Sequence, residues 1–183
     1  MLSLRDVIGN VKKHQSALNV RMILNGLEQA YIKSRGDIVI IGCDKDGTSG
    51  TTVYMTMPSG RNPSKKYTIA IYVKTQTKMT LDTDIKVYAN VPAFLYNFTY
   101  VFHKKGSLLF PEKYPEEFRT TPPKIRNPFG TVGFSKHVFA AIRYISDYKL
   151  PRIISEYSGR PVISVPTIRV SVNRSTGKTE LVL

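Results

Sequence analysis

Three short stretches of this 183-residue chain carry residue types at spacings that chemistry can use. In Asp84-Ile85-Lys86, preceded by Asp82, an acidic residue, one spacer and a lysine stand where a strand is expected. With a further carboxylate from an earlier strand (Asp37, Asp44 or Asp46), such a set could hold a divalent ion and position a water, as metal-dependent nucleases do. The same pattern is also an ordinary solvated strand start, which is the simpler reading. Asp44-Lys45-Asp46-Gly47 opens like a calcium loop but lacks the later oxygen ligands and the closing bidentate Glu, so it reads as a turn. Ser135-Lys136-His137 places an imidazole two residues after a small polar side chain, at the mouth of an apolar segment. That is the spacing of a metal-ligand pair, yet serine is a poor zinc ligand. No phosphate-cradling glycine loop and no Gly-x-Ser-x-Gly occurs, and His14, His103, His137 and Cys43 fall into no nucleophile–base arrangement. The expectation is a chain that is not an enzyme and carries no metal and no cofactor.

The composition allows one domain with a real core, or one domain plus an arm. A single cysteine excludes internal disulfides and any multi-cysteine metal site. No apolar run is long enough to span a bilayer, and the amphipathic start MLSLRDVIGNVKKHQ does not read as a signal peptide. No membrane insertion is therefore expected, and synthesis is expected in a cytoplasm. Lys and Arg number 27 against 13 Asp and Glu, a net charge of +14. Such a field favours nucleic acid, an acidic protein surface or another polyanion. The excess is concentrated between Arg119 and Lys178, where eleven Lys and Arg face only Asp147 and Glu156.

Positioning these residues falls to elements that the hydrophobic period marks out. Residues 3–34 trace one stripe through Leu4, Val7, Ile8, Val11, Leu18, Ile23, Leu24, Leu27 and Tyr31, which predicts a long helix capped by Ser3. The period then changes to two. GDIVIIGCDKDGTSGTTVYMTM predicts a hairpin, and YTIAIYVKT and DIKVYANV two further strands. A helix opening at Pro92 and ending at Gly106 follows, then a proline-rich irregular insert over 107–133. A second helix over about 134–149 is stopped by Pro151, with a short turn or helix over 152–158. IRVSV and TELVL close the chain as a hairpin or extended arm, with Pro161 and Pro166 arguing against a central strand. The expected class is α+β: a long N-terminal helix, an antiparallel sheet of about four strands, two further helices and a C-terminal β-arm. A single domain over 1–158 and an arm over 159–183 is the matching division.

The layout around Ser135 and His137 resembles the SWIM-type zinc module, in which a C-x-C at a strand end meets a C-x-H at a helix start. Carried over by position, the first pair falls on Ala89 and Val91 and the second on Ser135 and His137. Three of four ligands are missing, so the resemblance implies a frame at 84–145 without its ion. The segments ANVPAFLYNFTY (89–100), PPKIRNP (122–128) and GFSKHVFAAI (133–142), in this order, are similar to a frame in virion structural proteins of tailed bacteriophages. That resemblance implies a non-catalytic component of the neck, tail or baseplate region. Its partners would be other virion proteins and copies of itself, and its location the virion. A nucleic-acid-binding module is the main alternative, with Tyr144, Tyr148 and Tyr157 as stacking groups beside the basic segment; the nuclease is the third. Lys124, Arg126, Arg143, Lys149, Arg152 and Arg169 are the candidate contacts to partners or DNA.

Overall fold

A computed structural model describes residues 1–13, 17–60, 62–123, 127, 133–160, 164–172 and 179–182; for 9–13, 17–20, 170–172 and 179–182 only the backbone is described. The fold is α+β. Five strands, β1 (Leu2–Ser3), β2 (Val39–Asp46), β3 (Gly50–Pro58), β4 (Lys66–Val73) and β5 (Asp84–Ala89), form one antiparallel sheet in the order β1-β5-β4-β3-β2. Seven α-helices occur among the described residues: α1 (Leu4–Lys13), α2 (Ala17–Ser34), α3 (Pro92–Asn97), α4 (Thr99–Lys104), α5 (Glu116–Thr120), α6 (Lys136–Tyr148) and α7 (Leu150–Tyr157). A separate two-stranded sheet, β6 (Arg169–Val172) with β7 (Thr179–Val182), ends the described chain.

The sheet is apolar on both faces because both are covered. One face carries Val53, Met55 and Met57 beside Ile71, Ile69 and Tyr67, with Val87 and Ala89 beyond; all are buried. Helix α6 lies on this side, where the His137 ring meets the Tyr67 ring edge-on at 5.2 Å, and at the sheet edge Cys43 of β2 bridges Ser158, just after α7. Cys43 is fully buried, and burial pushes its thiol up to about 11. The opposite face puts Tyr54, Ala70 and Tyr88 side by side across three strands. Phe110 packs against both tyrosines, at 6.4 and 6.1 Å, so it straddles the small Ala70 between them. Phe110 holds a left-handed φ of 52°, which costs a non-glycine residue on the order of 1 kcal/mol; the aromatic contacts offset that cost.

Helix α2 packs against α6. Glu28 lies level with Arg143 (3.4 Å), and Tyr31 donates to Asp147 at 2.8 Å. Arg143 also pairs with Asp147 and stands 5.7 Å over the Tyr31 ring. The start of α1 is a reciprocal cap: Ser3 Oγ accepts from the Asp6 N–H while Asp6 Oδ2 accepts from the Ser3 N–H.

Several expectations need correction. Where one helix was expected over 3–34, the described residues form two, a short α1 over Leu4–Lys13 and α2 over Ala17–Ser34, and His14–Ser16 lie outside the described residues. Ahead of α1, the two-residue strand β1 pairs with β5, making five strands rather than about four. Among the described residues five α-helices follow α2, where two were expected. The helix expected over 92–106 bends at Phe98 (φ −126°) into α3 and α4, while the Phe98 and Phe102 N–H groups keep their helical acceptors. The irregular insert contains α5 and a 3₁₀ turn over Pro111–Lys113. Pro151 does not stop a helix; it sits in the first turn of α7, where its missing N–H costs nothing. The break is made by Lys149, with φ 67° and ψ 117°. Within the segment expected as the arm, Val165 and Ile168 are buried in the core and the Ile168 N–H donates to the Lys113 carbonyl.

The outer edge of β5 is covered in turn by three segments. Leu2 and Ser3 pair with Ile85 and Asp84. Val87 exchanges hydrogen bonds with Ser107 and Leu109 at 2.8 and 2.9 Å. The Ala89 N–H donates to the buried Tyr114 hydroxyl at 2.8 Å. Replacing Tyr114 with Phe leaves that N–H buried and unpartnered, which costs about 1–3 kcal/mol. Urea unfolding of Tyr114→Phe should show a lowered midpoint with an unchanged slope; an unaltered midpoint would mean that the hydroxyl contributes nothing.

Candidate functional site

The four frame positions come from two ends of one core. Ala89 is the last residue of β5, and Val91 precedes Pro92, which opens α3. Ser135 and His137 flank the first residue of α6. Ala89, Val91 and Ser135 are buried, as are Val138 and Ala141 one turn into the helix. Two aromatic rings tie the strand end to the helix start. Tyr67, whose neighbour Thr68 exchanges hydrogen bonds with Asn90 (2.8 and 3.2 Å), touches the His137 ring. Phe98 lies so close to Gly133 that a Cβ there would approach its ring to 2.9 Å. Hydrocarbon and aromatic surface therefore fills this corner.

Ser135 has a role of its own. It is the N-cap of α6, with extended backbone (φ −72°, ψ 152°), and its hydroxyl accepts from the Val138 N–H at 3.4 Å. The sequence reading of Ser135 as a vacated ligand position missed this role, although Ser-Lys-His before an apolar run also matches a helix start. His137 is held by a hydrogen bond to the Pro58 backbone, while Nδ1 is buried with no partner. By elimination Nε2–H is the donor to the Pro58 carbonyl, which leaves a neutral imidazole with a bare Nδ1. Burial, reinforced by the Lys136 ammonium, lowers its pKa to about 4. Among the described residues, no group of three His, Cys, Asp or Glu is placed to hold a metal ion.

The acidic candidates are held elsewhere. Asp82 pairs with Arg5 (2.6 Å), Asp84 lies 3.9 Å from Lys74, and Asp44 accepts from Tyr54 at 3.0 Å. Asp44 sits on β2 opposite Thr52, and Lys86 on β5 opposite Tyr72, so β3 and β4 lie between them. Strand spacing of ~4.8 Å puts their backbones roughly 14 Å apart. No nuclease constellation forms there among the described residues.

The basic candidates scatter. Lys124 and Arg126 lie outside the described residues. Arg143 is spent on Glu28 and Asp147 and acts as a staple between α2 and α6. Lys149 lines a recess with Thr77, Met79 and Pro151, and Arg169 opens β6 opposite Val182. Arg152 belongs to a surface cluster. Tyr144 and Tyr148 stack at 5.5 Å with ring planes 10° apart, and Arg152 lies 4.5 Å over Tyr148 while pairing with Glu156. Arg160, absent from the sequence-based set, covers Tyr157 at 4.4 Å. The i,i+4 spacing of Tyr144, Tyr148 and Arg152 was the available signal, and it continues across the α6–α7 break.

The depressed pKa of His137 fixes the sign of a pH effect. Unfolded, the imidazole takes its proton near pH ~6.5; folded, it stays neutral down to about 4. The unfolded chain binds the extra proton between these values, so stability is full above that window and falls as pH drops through it. Allowing for solvent screening, the loss is on the order of 2 kcal/mol. Melting temperatures measured from pH 7 to 4 should fall less for His137→Gln than for the native chain; parallel curves would remove His137 as the source. Ser135→Ala should cost about 1 kcal/mol through the lost cap, read by the same melts. Comparison with protein-family profiles, curated proteins and solved structures found no match.

Proposed function

We propose that the protein is a non-catalytic structural component that works by assembling with other chains. The β6–β7 hairpin carries this reading. An isolated two-stranded sheet has two open edges and little stability of its own. Such an edge accepts or donates a strand, giving main-chain hydrogen bonds to a neighbour. The hairpin leaves from a fixed anchorage: Val165 and Ile168 are buried, and Tyr88 donates to the Pro166 carbonyl at 2.5 Å. The side chains of α2 support the same reading. Met22, Ile23 and Ile32 stand 63, 39 and 46% exposed, apolar surface that a second chain could cover. The setting we propose is the virion of a tailed bacteriophage, in its neck, tail or baseplate, with other virion proteins and further copies as partners; this rests on the resemblance of the 89–142 segments. No helix among the described residues is long and apolar enough to cross a membrane.

A second reading, nucleic-acid binding, is favoured by the Tyr144, Tyr148 and Tyr157 rings beside Arg152 and Arg160, a surface on which unpaired bases could stack.

Deleting 169–183 retains the anchoring residues, so the truncated chain should melt within about 1 kcal/mol of the full one. Light scattering should then show fewer subunits, or particle components should no longer be bound. Unchanged subunit number together with unchanged partner binding would defeat the assembly reading.

A further inference from the structure

Between the C-terminal end of α2, the start of β2, the β3–β4 turn and the first turn of α6 lies an open groove of 770 Å³. Lysines from three different elements line it: Lys33 from α2, Lys66 from the first position of β4, and Lys136 from the first position of α6. All three are exposed, and none has an ion-pair partner among the described residues. Asp37 is the one carboxylate on the described lining. Elsewhere on the described surface Arg5, Arg143 and Arg152 are held in ion pairs. Three unpaired ammonium groups thus line one concavity.

The groove has further anion-directed features. Its floor includes the first turn of α6, a 13-residue helix whose dipole is positive at this end. The Ser135 side chain and carbonyl accept from the Val138 and Phe139 N–H groups, leaving those of Lys136 and His137 without helical acceptors. Gly60 keeps the turn low, since a Cβ there would come within 3.1 Å of Lys136 Nζ. His137 adds no charge, because its proton-bearing nitrogen is turned to Pro58.

We infer that this groove binds the phosphodiester backbone of a nucleic-acid strand. Lysine is a flexible point charge that suits a phosphate chain passing through, where a fixed single anion would be met by the planar fork of arginine. Neutralising phosphates with three lysines releases the counterions condensed on the nucleic acid, which supplies binding free energy and makes it salt-dependent. The site involves neither the hairpin β6–β7 nor the tyrosines of α6 and α7, so it stands apart from both readings given above.

The test uses the full chain and a fluorescein-labelled random single-stranded DNA of about 20 nucleotides, followed by anisotropy between about 50 and 200 mM salt. The native protein should bind with a steep salt dependence. A triple variant, K33Q/K66Q/K136Q, should lose about tenfold or more in affinity at low salt, and its salt slope should shrink by roughly 2. K45Q/K104Q/K105Q removes the same charge from exposed lysines elsewhere and should retain the native slope to within about half of that change. Asp37→Asn should tighten binding. Thermal melts of both triple variants should match the native chain, and if the groove variant melts lower, the single Lys66→Gln and Lys136→Gln variants serve in its place. Three outcomes overturn the inference. They are no binding at low salt, equal losses in the two triple variants, or displacement of the DNA by millimolar pyrophosphate beyond its ionic-strength effect, which would assign the groove to a small phosphate compound.

Discussion

Strand β5 has β4 on one side, and on the other side a row of N–H and C=O groups that no full-length strand meets. An uncovered backbone edge beside a buried face would leave polar groups without partners or invite a foreign strand. Three pieces of chain close it. They come from the N-terminus, from the stretch after α4, and from a tyrosine hydroxyl further along, and none would be held by its own local preferences. Closing the edge fixes where each must lie. Leu2 is set beside Ser107, whose hydroxyl accepts from the Leu2 N–H at 2.5 Å. With 107–114 fixed, Phe110 and Tyr114 are carried onto the second face of the sheet, and Lys113 is in place to receive Ile168. The anchoring of the C-terminal arm thus traces back to the hydrogen-bond needs of one edge.

The other face is organised by α6. Its first turn is capped by Ser135 and touches β4 through His137 and Tyr67, while its later turns meet α2 through Arg143 and Asp147. Helix and sheet are joined at one end by an aromatic edge contact. At the other end helix and helix are joined by a charge pair backed by a ring. The same helix therefore sets the walls of the lysine groove and displays the stacked tyrosines. Where a zinc module would draw a strand end and a helix start together by coordination, Tyr67, Phe98 and the packing of Val91, Val138 and Ala141 bring them into one core.

What the sequence made legible follows from which signals are local. The period-2 runs over 39–58 and 66–89 and the 3.6-period run over 136–148 are strong because burial repeats along them. The cap at Ser3, which the structure completes with Asp6, and the turn at Gly47 (φ 54°) are equally local. Strand β1 was invisible because two residues carry no period. The bend at Phe98 left no breaker residue, since aromatic packing rather than proline or glycine produces it. Lys149 misled in the same way: a left-handed lysine has no sequence signature, so the break was assigned to Pro151. The groove escaped because Lys33, Lys66 and Lys136 are distant in sequence and each looks like an ordinary solvated charge. Lys124 and Arg126 lie outside the described residues, whereas Arg143, chosen for its charge, serves the interior of the fold.

Cys43 ties the sheet to the chain just after α7, opposite Ser158, where water does not reach the sulfur and the thiolate is scarce at neutral pH. Alkylation of this sole sulfhydryl can proceed only from conformations in which that joint has parted. Its rate is thus a clock for opening of the core around β2, readable without any engineered residue.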